Sequence, residues 1–329
     1  MRNRWTTAAA VAVLVTGCGG GDGGGEPAAE RSYYLSLGDS LAVGVQPDAG
    51  GEPVETSEGY TDILHRTLYD SDSTLRHERM GCGGEDTTTF VEGGLPGCDE
   101  RYEHGSQLEE AEAFLSEHRG RVDLVTLTIG GNNFTSCVEG VRDPEAPEDI
   151  GIDEECVADG LERIETEVPV IAERLREAAG PDTQIVAMTY YNPFLALLLL
   201  DGQPAEEAVD AAEEAAGERA EEGAERGGDA DAETTGGDGL AERAVDILTE
   251  LNASLTASYA VAGIDVADVD AVFESTDDEV PEDSRTGMPA NLQNICDYTW
   301  MCDTERGPDI HTNKAGAQEI AAVFAERVR

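Results

Sequence analysis

The stretch YYLSLGDSLAVGV, residues 33–45, decides how the rest of the chain is read. Tyr33, Tyr34, Leu35 and Leu37 form a mostly apolar run, which fits a strand covered on both faces. The run ends on Gly38-Asp39-Ser40, and the chain then turns apolar again. A glycine at a strand end permits a tight exit. The serine after it then stands at or near the start of a helix, where a backbone amide can face an anion. Taken alone, such a serine is an ordinary helix cap, and its hydroxyl is a weak nucleophile without a base. Its meaning depends on what the other strands deliver to the same place.

Four further β-rich runs follow, at about 75–80, 122–129, 184–190 and 264–269. Between them, residues 59–69, 161–179, 240–261 and 314–328 carry apolar positions near a 3.6 period. Strands alternating with helices predict an α/β fold of three layers, α/β/α, around a central five-stranded parallel sheet. In such a sheet a ligand binds at the carboxyl ends of the strands.

Two of those ends carry further chemistry. The second run leads into Cys82-Gly83-Gly84-Glu85, whose glycines let a backbone N–H approach a ligand. The third leads into Gly130-Gly131-Asn132-Asn133, which adds an amide donor. Ahead of the last helix, His311 lies in the polar turn GPDIHTN, off any apolar face. A hydroxyl, a backbone donor, an amide donor and an imidazole are the parts of a nucleophile with its base and oxyanion hole.

In this order the four pieces resemble the SGNH/GDSL hydrolase family, over about residues 31–329. The resemblance implies a flavodoxin-like sheet, Ser40 as nucleophile and His311 as base. It implies an oxyanion hole made by the Ser40 amide, the Gly84 amide (Gly83 is the runner-up) and the Asn132 side chain. MTYYNPFLA (188–196), ICDYTWMC (295–302) and GPDIHTNKAGAQEIA (307–321) are similar to the secreted, disulfide-bearing esterase and lipase branch. Two positions depart from the pattern. Asn133 stands where the family has an aspartate, and Pro308 stands where it has the acid three residues before the histidine. Asp309, two residues before His311, shares a face with it if the segment is extended. Asp309, a backbone carbonyl, or Asp303 are the three choices for orienting the imidazole.

The implied activity is hydrolysis of a small-molecule or lipid carboxylic ester through an acyl-enzyme, with no metal and no cofactor. No G-x-S-x-G hydrolase motif occurs. A carbohydrate O-acetyl esterase on the same fold is the nearest alternative. A non-catalytic ligand-binding surface lipoprotein and an acidic interaction module are the others.

The N-terminus reads as an export signal. Arg2 and Arg4 precede the apolar stretch 8–15, which is too short to span a bilayer. Val15-Thr16-Gly17-Cys18 resembles a bacterial lipobox, with an ordinary cleaved signal peptide as the alternative. The expected organisation is a signal at 1–17, a glycine-rich tether at 18–30 lipidated at Cys18, and a hydrolase domain at 31–329. The protein is then exported, lipid-anchored on the outer face of the membrane or secreted, and its only membrane contact is that anchor. Without Cys18, six cysteines remain, an even set that in an exported chain implies disulfides. They cluster as Cys82–Cys98, Cys137–Cys156 and Cys296–Cys302. No C-x-x-C occurs, which leaves a metal site as the weaker reading.

The formal net charge is −49, with Lys314 the sole lysine. Such a surface repels nucleic acid and excludes it as a partner, and it fits a protein kept soluble in high salt. Part of the charge lies in residues 201–239, an insertion with 14 acidic and two basic residues and too little apolar surface to join a core. A monomer is expected.

Overall fold

The computed structural model describes residues 32–139, 151–192, 195, 237–282 and 284–329. The signal segment 1–17, Cys18, the tether 18–30 and residues 201–236 of the acidic insertion lie outside the described residues. So do residues 194 and 196–200 of the apolar run FLALLLL. Residues Arg31–Arg329 form one compact unit.

Its centre is a five-stranded parallel sheet. Strands β1 (Tyr33–Gly38), β4 (Arg76–Arg79), β5 (Val122–Thr128), β8 (Gln184–Met188) and β9 (Asp265–Ala267) lie in the order β4-β1-β5-β8-β9. Two short antiparallel pairs stand apart from it: β2 (Val45–Pro47) with β3 (Pro53–Glu55), and β6 (Val138–Glu139) with β7 (Gly151–Ile152). The central strands β1 and β5 are buried almost throughout, as strands covered on both faces must be. The edge strand β4 reads RHER and is mostly exposed, and its charges discourage pairing with another chain.

Helices α1 (Tyr60–Tyr69) and α8 (Lys314–Arg327) pack together, while α4 (Glu154–Ala179) packs between α3 (Gln107–Glu117) and α5 (Gly237–Val261). These make the two outer layers. Helix α4 starts seven residues before the apolar period suggests, because Asp153 caps it by accepting the amides of Glu155 and Cys156. Helix α5 takes its first residues, 237–239, from the end of the acidic insertion. The described residues also form the shorter helices α2 (Thr87–Glu92), α6 (Val269–Phe273) and α7 (Ala290–Tyr298). Among the described residues, no helix is long and apolar enough to cross a membrane.

The chain runs β1 then β4 to one side, and next crosses back to β5 on the other. The order therefore reverses between β1 and β5, and the crevice at their carboxyl ends is where a doubly wound sheet binds its ligand.

One buried titratable group lies under this sheet. His77 of β4 shares a 2.9 Å hydrogen bond through Nε2 with Ser36 Oγ, and its ring stacks on Tyr34. Asp62 is 3.9 Å from Nδ1, too far to hydrogen-bond. Burial, helped by His65 and Arg79, therefore prevails and pushes the imidazole from 6.5 down to about 3. The unfolded chain then binds a proton that the folded chain refuses. This contribution to stability is complete above about 6.5 and is lost as the pH falls from there toward about 3. Urea unfolding at pH 7 and pH 4.5 is expected to show a smaller loss of stability on acidification in His77→Gln than in the parent protein.

Candidate active site

The turn that carries Ser40 begins where β1 cannot continue. Gly38 has φ +125°, and a Cβ there would lie 1.9 Å from the Thr128 carbonyl oxygen of β5. The chain passes this close because the Asp39 amide donates to that same carbonyl at 3.0 Å. Gln107, the first residue of α3, clasps the Gly38 peptide groups. Its Oε1 accepts the Gly38 amide at 2.6 Å, and its Nε2 donates to the Gly38 carbonyl at 3.0 Å.

Ser40 then opens a turn over residues 40–44, where a helix start was expected. The reason is local. The Val45 amide closes on the Ser40 carbonyl at 2.9 Å, and Gly44, at φ +63°, redirects the chain into β2. Asp39 is buried beneath Ser40. Its Oδ1 accepts the Leu41 amide at 3.0 Å, and its Oδ2 accepts the Tyr190 hydroxyl. Burial raises its carboxyl to about 6, although both bonds work to lower it.

The second loop lies against the first. The Cys82 amide donates to the Gly38 carbonyl at 2.9 Å, and a Cβ on Gly83 would sit 3.8 Å from Ser40 Cβ. Gly84 has φ +89°, and its neighbour Glu85 is buried. Burial raises the Glu85 carboxyl to about 7 against the opposing bond from Thr89. A disulfide joins Cys82 to Cys98 across this loop.

The third loop follows β5. One N–H of the Asn132 amide donates to the Glu85 carbonyl at 2.9 Å, which orients the group and leaves its second N–H available. Asn133 accepts the Thr87 amide at 3.1 Å and donates to Thr87 Oγ1 at 2.8 Å. The Thr87 hydroxyl spends its own proton on Glu167. The Thr87 oxygen therefore needs a donor, which an asparagine supplies and an ionised aspartate would not. This gives the departure at Asn133 a structural reason. A disulfide joins Cys137 to Cys156 beyond this loop.

The fourth segment precedes α8. His311 Nδ1 is 2.7 Å from Asp309 Oδ1, and the His311 amide donates to the same oxygen at 2.8 Å. Burial works to raise Asp309, but the bonds and charge of His311 outweigh it and hold the carboxyl below its usual range. With Nδ1 facing a carboxylate, Nε2 is the nitrogen left to accept a proton. Asp303 is engaged elsewhere, accepting the amides of Glu305 and Arg306. The Tyr191 hydroxyl donates to the Ile310 carbonyl at 2.7 Å, and a disulfide joins Cys296 to Cys302 nearby.

Ser40, Gly83, Gly84, Asn132 and His311 all line one cavity of about 670 Å³. Asp309 is not part of its wall and reaches it through the histidine. Leu41, Val45, Pro53, Phe134, Val138 and Ile310 supply apolar lining. Glu55 and Arg101 form an ion pair in the same wall, and Arg101 also donates to the Gly81 carbonyl at 3.2 Å. The Ser36–His77 pair resembles a nucleophile with a base, but Ser36 is wholly buried and closed to substrate. No local pattern marks Gln107 or the Glu55–Arg101 pair, and Tyr190 and Tyr191 lie in the stretch MTYYNPFLA, whose resemblance gives neither of them a role.

A family model described as the GDSL-like lipase/acylhydrolase family matches residues 36–319. A search of curated proteins gave no significant match. Solved structures do match. The extracellular lipase of Streptomyces rimosus is 17% identical, over 90% of this chain and 99% of its own, with a TM-score of 0.47. Phospholipase A1 of Streptomyces albidoflavus NA297 is 15% identical, over 91% and 99%, with a TM-score of 0.44. The aryl esterase of M. smegmatis is 14% identical, over 91% and 99%, with a TM-score of 0.40.

The approach of Gly38 to Thr128 is the tightest constraint in the site. Gly38→Ala combines a clash with backbone carbonyl and a positive φ, so it is expected to destabilise by more than about 3 kcal/mol. Urea unfolding of the variant measures this.

Proposed function

Because the chain belongs to the GDSL-like lipase/acylhydrolase family, we propose that it is an exported serine esterase that hydrolyses carboxylic esters bearing an apolar acyl chain. His311 Nε2 takes the proton of Ser40 as Oγ attacks the ester carbonyl. The negative oxygen of the tetrahedral intermediate receives hydrogen bonds from the amides of Ser40 and Gly84 and from the free N–H of Asn132. The imidazolium then gives its proton to the departing alcohol. Water attacks the acyl-serine with His311 again as base, which releases the carboxylic acid and restores Ser40. Asp309 holds the tautomer that leaves Nε2 free and stabilises the imidazolium.

The observation that carries this reading is the common cavity. Ser40, Gly84, Asn132 and His311 come from four separate loops and line one space, with His311 Nδ1 bonded to a carboxylate behind it. The apolar lining favours an acyl chain over a bare acetyl group on a sugar. Three disulfides and the lipobox-like segment ending at Cys18 support export and a lipid anchor after removal of residues 1–17.

Hydrolysis of p-nitrophenyl esters from acetate to decanoate tests the proposal. With about 0.8 kcal/mol per buried methylene, kcat/KM is expected to rise roughly fourfold per CH₂ until the cavity is filled. Ser40→Ala is expected to abolish this turnover, and Asn132→Ala to lower kcat by about 10²–10³. Asp309→Asn is expected to lower kcat by up to about 10⁴. Turnover that survives Ser40→Ala would overturn the assignment.

A further inference from the structure

Two adjacent tyrosines follow β8 at the same end of the sheet as the site. Both are buried, and both line the cavity. The Tyr190 backbone is held on both sides by one side chain: its amide donates to Asn252 Oδ1 at 2.8 Å, and its carbonyl accepts from Asn252 Nδ2 at 2.9 Å. The Tyr190 ring lies against Gly131, where a Cβ would come within 2.8 Å of it. Its hydroxyl donates to Asp39 Oδ2. The next residue turns elsewhere. The Tyr191 ring stacks on Phe273 with centroids 4.5 Å apart, and its hydroxyl donates to the Ile310 carbonyl at 2.7 Å.

Asp39 immediately precedes Ser40, Ile310 immediately precedes His311, and Gly131 immediately precedes Asn132. The tyrosine pair therefore touches the chain neighbours of Ser40, Asn132 and His311, three of the four groups that must converge on the ester. We propose that Tyr190 and Tyr191 are paired positioning residues, which from one strand end fix the nucleophile turn, the oxyanion loop and the histidine segment relative to one another. The inference rests on the serine esterase reading of Ser40 and His311.

Rigid spacing matters here because the nucleophile and base lie on separate loops with long chain segments between them. A misplacement on the order of 1 Å costs about 10² in rate. Burial raises both phenols above their ordinary value, so both remain protonated donors at any working pH. The Tyr190 bond also acts on Asp39. It favours the ionised carboxylate, as does the charge of His311, while Glu85 opposes it. Tyr60, Tyr191 and Tyr259 also surround Asp39, as neutral phenols. Loss of the Tyr190 hydroxyl lets Asp39 take up a proton at a higher pH.

The test compares Tyr190→Phe and Tyr191→Phe with the parent and Ser40→Ala on p-nitrophenyl butyrate. Active sites are counted by stoichiometric labelling with an organophosphonate, so that a partly unfolded sample does not mimic a slower enzyme. Each phenylalanine variant is expected to lose about tenfold in kcat per labelled site, with KM within twofold of the parent. The acidic limb of the kcat profile is expected to move to higher pH in Tyr190→Phe and to stay in place in Tyr191→Phe. A carbon-13 NMR titration of Asp39 is expected to show the same upward movement in Tyr190→Phe without any turnover. Parent-like kcat and acidic limbs in both variants would overturn the inference while leaving the esterase reading intact. Loss confined to KM would overturn it in the same way. Parent turnover that is absent or independent of Ser40 would overturn both.

Discussion

Gly38 has room for no side chain, and the rest of the site is measured from its peptide groups. Its carbonyl accepts the Cys82 amide and Gln107 Nε2, its amide donates to Gln107 Oε1, and the next amide donates to Thr128. One residue thus joins β1 to the second loop, to α3 and to β5. Ser40, the proposed nucleophile, follows two residues later, so its height above the sheet is set by a backbone contact rather than by a flexible side chain. A parallel sheet makes this economical, since every strand points its carboxyl end the same way. Groups distant in sequence then arrive on one rim without any long loop reaching across.

The chemistry at that rim must tolerate an unusual surround. The chain carries 70 acidic residues against 21 lysines and arginines. A negatively charged intermediate placed among fixed carboxylates would be opposed by all of them. The two carboxyls buried nearest the nucleophile, Asp39 and Glu85, are raised to about 6 and about 7. Burial disfavours the charged form of both, and it outweighs the hydrogen bonds that each carboxylate accepts. Asp309 behaves oppositely, because the bonds and charge of His311 hold its carboxyl below the usual range, and in the proposed mechanism that negative charge favours the imidazolium.

Much of this was legible in the sequence, and the reason lies in locality. The strands at 33–37, 122–129 and 184–190 show as β-rich runs because burial on both faces leaves no room for polar alternation. Gly38, Ser40, Asn132 and His311 stand out because strand ends and helix starts bracket them within a few residues. Helix α3 was also legible in principle, since Ser106 precedes Leu108, Ala111 and Leu115 at helical spacing. Gln107 was not legible, and the stretch MTYYNPFLA pointed to a family branch without giving Tyr190 or Tyr191 a role. The three work through hydrogen bonds to partners 69, 151 and 119 positions away, and no period or spacing encodes such pairs. The turn at Ser40 escaped for a related reason. Its end is set by Gly44 packing on Gly59, a contact between two helix-breaking residues that the local pattern treats as unrelated.

The three disulfides brace the same rim without drawing on the chain's few cations. A loop on a catalytic face needs support against its own mobility, and many proteins supply it with ion pairs. This chain has few cations to spend, and several of those are committed away from the rim, as Arg174 is to Glu112 and Arg329 to Asp265. Surface ion pairs also weaken as salt rises. A covalent link has neither limit. Cys82–Cys98 encloses the glycines beside Ser40, Cys137–Cys156 anchors the end of the loop that carries Asn132, and Cys296–Cys302 lies just ahead of His311. Closing a loop of this size removes on the order of 3 kcal/mol of chain entropy from the unfolded state, independently of ionic strength. The rim is therefore braced by bonds that screening cannot touch, with the Glu55–Arg101 pair beside them in the cavity wall.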